Sequence, residues 1–204
     1  MTRPLPARSS GASLVCAALL CTLAGCASAP PLRHYTLGPL ADAASTAGPV
    51  AATPSLVVGP VSLPTGIDRL QMVRLVDGAR AEVADGHRWA GTLKTEIARR
   101  LAGDIARERG LGRVVAWPQS SIAEPDLTLP IDVQRFDAEG FERVTLEVVW
   151  TLRRANRDIA GRRFTASEPV TAPTYEALAA AHGRLIDALA RDIAPAIPGT
   201  PQAR

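Results

Sequence analysis

All three cysteines of the chain, Cys16, Cys21 and Cys26, fall within its first 26 residues. Whatever folds downstream of them closes no disulfide of its own and has to be held by a hydrophobic core alone. The residues around the cysteines give the reason. Arg3 and Arg8 form a short basic segment, Ala12 to Leu23 is almost unbroken Ala, Leu, Val and Cys, and Leu23-Ala24-Gly25-Cys26 follows. This is the pattern of a secretory leader, with an apolar stretch shorter than the roughly 20 residues that span a bilayer. Its end reads as a bacterial lipobox: a branched residue, two small ones that fit the signal peptidase, then a cysteine whose thiol takes diacylglycerol. The sequence thus predicts a signal peptide over residues 1–25, an acylated Cys26 with a tether over 26–31, a folded domain over 32–195 and a flexible tail over 196–204. Several acyl chains, each contributing ~0.8 kcal/mol per buried CH₂, make such an anchor effectively permanent. Ala27 stands where an Asp would favour retention at the inner membrane, so the expected location is the outer membrane, on its periplasmic face.

The leader also accounts for the charge. The whole chain of 204 residues carries a formal +3, from 23 Lys and Arg against 20 Asp and Glu. Without Arg3 and Arg8 the remainder is close to neutral, and a role in phosphate-backbone binding has no support. With 47% apolar and 21% charged residues, the rest is globular, and its length suits one domain.

Hydrophobic periodicity predicts an α+β domain. Arg33 to Leu37 is a candidate first strand with Tyr35 and Leu37 on one face, and Ala41 to Pro54 reads as a loop. Leu56-Val57-Val58 opens a strand toward Pro64. Gln71 to Val76 and Ala79 to Ala84 pair across Asp77-Gly78, a hairpin dipeptide. From Arg88 to Arg109, Trp89, Leu93, Ile97, Leu101 and Ile105 recur every four residues, which predicts an amphipathic helix with Asp85 as its cap and Gly110 at its end. Leu127 to Gln134 and Arg143 to Leu152 place apolar residues at every second position, with turns expected at Asp137–Gly140 and Ala155–Asp158. A third strand then runs from Ile159 to Glu168. These three make an antiparallel meander, and Pro130 marks its first strand as an edge or the site of a bulge. A second helix, Thr174 to Ala194, presents Leu178, Ala181, Leu185, Leu189 and Ile193 as one stripe. The expected architecture is two-layered, a mixed or antiparallel sheet with both amphipathic helices packed on it.

Residue types that carry chemistry are sparse, and no catalytic residue and no metal site is assigned. The three histidines, His34, His87 and His182, have no paired-ligand spacing, and no GxSxG, GxGxxG or GxxxxGK[ST] motif occurs. His87 beside Asp85 is the best imitation of a base with its orienter, and polar residues ahead of a helix explain the pair as well. Lys94, the sole lysine, reads as solvated. Arg153, Arg154, Arg157, Arg162 and Arg163 surround the second meander turn with Asp158 among them, either as a solvated tip or as a surface for an acidic partner.

Two segments make the chain recognisable. Leu63-Pro64-Thr65-Gly66-Ile67-Asp68-Arg69-Leu70-Gln71-Met72-Val73 resembles the "LPxYLDRPQIV" run of the PqiC-type ABC-transport auxiliary lipoproteins, and His87-Arg88-Trp89-Ala90-Gly91-Thr92-Leu93 resembles their "HRWAEPL". Near the start of the domain, His34-Tyr35-Thr36-Leu37-Gly38-Pro39 is similar to their "YYxLxP" opening. Gly66 replaces the family's Tyr, Leu70 its Pro, and Gly91-Thr92 its Glu-Pro. The resemblance implies an accessory role and no enzyme activity. Such lipoproteins look like outer-membrane-anchored adaptors that dock an MCE-domain protein and an inner-membrane permease for lipid transport between membranes. It points to Asp68, Arg69, Arg88 and Trp89 as the motif near a partner-binding surface, to Cys26 as the lipidation site, and to no cofactor beyond the acyl chains on it. Homo-oligomerisation is left open. The alternatives are a lipid-binding module that accepts a lipid between sheet and helices, and an envelope hydrolase built around His87 and Asp85.

Overall fold

A computed structural model describes residues 31–38 and 53–198. The leader, Cys26, most of the tether, the loop from 41 to 52 and the tail from 199 lie outside the described residues. Among the described residues eight strands and two helices follow one another as β1 (Arg33–Tyr35), β2 (Leu56–Ser62), β3 (Gln71–Leu75), β4 (Ala81–Trp89), α1 (Leu93–Arg109), β5 (Val114–Ala116), β6 (Leu127–Glu139), β7 (Arg143–Arg154), β8 (Arg157–Pro169) and α2 (Tyr175–Ile193), with a 3₁₀ turn at Ala194–Ala196.

All strands belong to one mixed sheet with β6 at its centre. On one side β6 pairs antiparallel with β7, and β7 with β8. The other side of β6 is shared. Its first half pairs parallel with β2, from Leu56 opposite Leu127 to Ser62 opposite Asp132, and β5 lies beyond. Its last residue, Glu139, pairs with Leu75 of β3, and β4 and β1 lie beyond that. The sheet therefore forks along β6, and residues 63–70 connect the two branches.

The alternation read from the sequence selects the core. Leu127, Leu129, Ile131 and Val133 of β6, and Val144, Leu146, Val148, Trp150 and Leu152 of β7, are all buried. Against them lie Ile97, Leu101 and Ile105 of α1 and the predicted stripe of α2, from Leu178 to Ile193. Each such Leu or Ile removed from water contributes ~1.5–3 kcal/mol. The side chain of Thr174 caps α2 by accepting from the Ala177 N–H at 3.2 Å, and Gly110 ends α1 at φ 61°. The α+β class and its two helix-on-sheet layers are as expected.

Four local readings are corrected. The helix predicted from Arg88 starts at Leu93, because Asp85 to Trp89 belong to β4. Trp89 donates its N–H to Leu70 O at 2.7 Å and Ala90 to Tyr35 O at 2.7 Å, so the sheet takes the backbone a helix would need. Trp89 is buried as a strand residue, and its spacing of four from Leu93 merely continues the helical phase. Thr92, not Asp85, occupies the cap position. Second, β6 runs through the expected turn at Asp137 and reverses at Gly140 instead, with φ 55°. Arg135 stays with this extended segment by pairing Asp137 at 2.7 Å and Glu139 at 3.0 Å. Third, Pro130 is not on an edge. It lies opposite a register shift in β2 between Val58 and Val61, where Gly59 and Pro60 interrupt the ladder, so the bulge belongs to the partner strand. Finally, the predicted tail begins later than 196, since Ile197 is buried and its carbonyl accepts from Arg109 Nη2 at 2.9 Å.

Candidate functional site

Three of the four motif residues meet at one junction, where the connection across the fork, the end of β4 and the start of α1 converge. Within the connection, Ile67 and Asp68 both donate their N–H groups to Pro64 O at 3.1 Å, forming a tight turn. The turn aims the Asp68 carboxylate at Lys94, with Oδ2 2.6 Å from Nζ. Lys94 is thus paired at the first turn of α1, where the sequence suggested a solvated mid-helix position. Arg88 lies opposite Gln71 in the β3–β4 ladder, and its Nε is buried without a hydrogen-bond partner. The Trp89 ring is 4% exposed and meets the edge of His182 at 5.3 Å between centroids. Arg69 is exposed beside Asp68; its N–H bonds Ile67 O at 2.8 Å, and its side chain makes no hydrogen bond or ion pair among the described residues. Asp68, Arg88 and Trp89 give the junction its shape, and the Arg69 side chain stands exposed at its surface.

Behind the junction lies His182 of α2, between Trp89 and Phe136. Its Nδ1–H donates to Leu178 O at 2.8 Å, and burial depresses its pKa to about 4, so the ring is neutral at neutral pH. A cavity of about 10 Å³ beside it is lined by Ile67, Met72, Leu93 and Phe136.

His87 does not pair with Asp85. Its Nδ1 lies 2.7 Å from Tyr35 Oη, and its ring stacks on Tyr175 with centroids 3.7 Å apart. Phe141 meets Tyr175 edge-on at 5.2 Å, and the Arg74 guanidinium covers Phe141 at 4.1 Å. This row of rings locks β1, the strand nearest the predicted tether, to β4, α2 and the β6–β7 turn. Among the described residues, no group of three His, Cys, Asp or Glu side chains is placed to hold a metal ion, and no helix is long and apolar enough to cross a membrane.

Most of the arginine cluster is neutralised. Arg153 pairs with Asp158 at 2.7 Å, Arg162 with Asp192 of α2, and Arg163 with Glu147. Arg154 and Arg157 face each other across the turn with no carboxylate partner among the described residues.

Sequence reasoning passed over Trp117. Trp89 and Trp150 fall on core positions of periodic elements, whereas Trp117 follows β5 off any period, which was the available signal, and it is 52% exposed. Its N–H is fixed to Val58 O at 2.8 Å, and its Cβ lies so close to Gly59 that a Cβ there would approach it to 3.1 Å. With φ at +113° as well, Gly59 has to be glycine. Trp117 heads a groove of about 490 Å³ lined by Pro60, Ile122, Thr128, Pro130 and Arg153, and an adjoining trough of about 340 Å³ continues past Pro130 and Arg153 to Val149 and Thr151. Thr128, Pro130, Val149, Thr151 and Arg153 alternate with core residues along β6 and β7, which puts the groove on the sheet face away from the helices. Its rim is built, not loose. The Gln119 amide bonds both N–H and C=O of Ile122 at 2.8 Å. Asp126 Oδ2 accepts from the N–H and hydroxyl of Ser55 at 2.8 and 2.7 Å, and these bonds hold its carboxyl below the usual range.

The model of one protein family, described as the ABC-type transport auxiliary lipoprotein component, matches residues 35–194. No curated protein matches the sequence. Among solved structures, that of an uncharacterized protein aligns with 81% of this chain and 98% of its own, at 18% identity and a TM-score of 0.65. A Xanthomonas campestris protein of the DUF330 family aligns with 81% of this chain and 91% of its own, at 22% identity and a TM-score of 0.56. These two likenesses concern the fold.

Proposed function

The chain belongs to the ABC-type transport auxiliary lipoprotein family, and from that premise we propose that it is the outer-membrane-anchored docking subunit of an MCE-type system carrying lipid between the two membranes of a Gram-negative envelope. The observation that carries the reading is the extent of the family match, from the first strand to the last helix, directly downstream of a lipobox ending at Cys26. Anchored at Cys26 on the periplasmic face, the domain holds a partner at high local concentration beside the membrane. It does so without catalysis and with no cofactor other than the acyl chains on Cys26. The geometry agrees with holding: Asp68, Arg88 and Trp89 make a fixed junction, and Arg69 stands out from it.

The test is to extract the acylated protein from native membranes in mild detergent and identify what copurifies by mass spectrometry. An MCE-domain protein and an inner-membrane permease are expected. Recovery of the lipoprotein alone, under conditions that keep a known envelope complex intact, overturns the reading.

A further inference from the structure

We propose that the groove headed by Trp117 binds a single anionic phospholipid, with an acyl chain laid along Trp117, Pro60 and Pro130 and the phosphate at Arg153. The inference rests on the reading that this domain serves a lipid-transport system, and it adds a site to a protein so far described as a holder.

Three observations converge. The first is Trp117. Its ring is half exposed, its backbone is fixed to β2 and a glycine lies beneath it, so a large apolar face with a polar N–H is held in place at the head of the groove. The second is shape: about 490 Å³ lies within the range of sites that enclose a small ligand, and the trough beyond Pro130 lengthens the path. The third is charge. Arg153 is the cation lining both compartments. Its Nε is engaged by Asp158, which leaves the terminal nitrogens to meet a phosphate. Arg154 and Arg157 at the same hairpin tip add positive charge without carboxylate partners among the described residues. Of the acids nearby, Glu147 is paired with Arg163, and Asp132, on the wall of the trough, is hydrogen-bonded by Ser62 and Gln134; at the hairpin tip Arg153, Arg154 and Arg157 outnumber the acid Asp158. An apolar track ending at a hairpin tip with an excess of arginine suits an anionic amphiphile better than a neutral one.

The experiment keeps the full chain in its own membrane. A photo-crosslinking amino acid is placed at Ala123, exposed on the groove's rim, and a control is placed at Ala79 on the β3–β4 hairpin. Cells are labelled with ³²P-phosphate and irradiated. The expected result is a ³²P-labelled lipoprotein at position 123 and none at 79. Arg153→Glu should lower the label about tenfold, the loss expected for one charge-assisted contact, while Arg80→Glu leaves it unchanged. No label at 123 overturns the proposal, as does a label insensitive to Arg153→Glu. An adduct with another protein at 123 overturns it too and assigns the groove to a protein partner. Failure here leaves the copurification result standing. A labelled adduct with no copurifying partner would instead retain the groove and remove the docking role.

Discussion

At the scale of single residues, Gly183 shows how tightly the start of the domain is built into the rest. A Cβ at this position of α2 would lie 2.2 Å from Leu37 O. That carbonyl also accepts from Arg100 Nη1 at 3.1 Å, while the same guanidinium bonds Asp104 and Asp187. Gly→Ala in a helix ordinarily stabilises by ~0.5–1 kcal/mol. Here the sign reverses: Gly183→Ala should cost ~1–3 kcal/mol through overpacking, read as a lowered midpoint in denaturant. His182 supplies a pH dependence. Its folded pKa, about 4, lies below the unfolded value near 6.5, so the unfolded chain binds the extra proton first as pH falls. The stability contributed by the neutral ring is complete above pH ~6.5 and lost toward pH 4, on the order of 3 kcal/mol in all. Thermal melts across that window should fall for the native protein and flatten in His182→Leu. A slope unchanged in the variant would assign the loss to other groups.

At the scale of elements, the strands and helices with one clean period were legible, and the places where two elements share residues were not. The α2 stripe gave its element to within a residue and the β7 alternation to within two. Trp89 was assigned to the wrong element because a strand residue four before Leu93 continues a helical count, and only the long-range bonds to Leu70 and Tyr35 decide the matter. The fork along β6 is likewise invisible locally, since it depends on which strands find the two halves of one edge. The Asp68–Lys94 pair ties the connection across that fork to α1. As a half-exposed pair it is worth no more than ~1 kcal/mol. Asp68→Lys, which sets two lysines together, should lower the melting point by a few degrees, and adding Lys94→Asp should restore it. Arg69→Glu, by contrast, should leave melting unchanged and reduce partner recovery; a change in melting alone would make Arg69 structural. The β7–β8 turn gives a third case. Ala155 and Asn156 sit at φ 48° and 61°, and Ala155→Gly should stabilise the hairpin by ~0.5–1 kcal/mol by removing a Cβ from the left-handed region, measurable by thermal unfolding.

At the scale of the whole molecule, the sequence was most informative about class and least about surface. The lipobox and three short motifs led to the family that the match over residues 35–194 establishes. The groove under Trp117 escaped because its lining comes from β2, the segment after β5, β6 and β7, which no local pattern joins. In the proposed function the lipid anchor and the folded domain act together, the one fixing where the other holds its partner. The most direct test is to separate inner and outer membranes from cells carrying the native chain or Cys26→Ala, and to measure where the MCE-domain protein sediments. With Cys26 acylated, a share of that protein should travel with the outer membrane, and with Cys26→Ala it should return to the inner-membrane fraction alone. An identical distribution in the two strains, with both forms of the lipoprotein present at equal levels, would contradict the account.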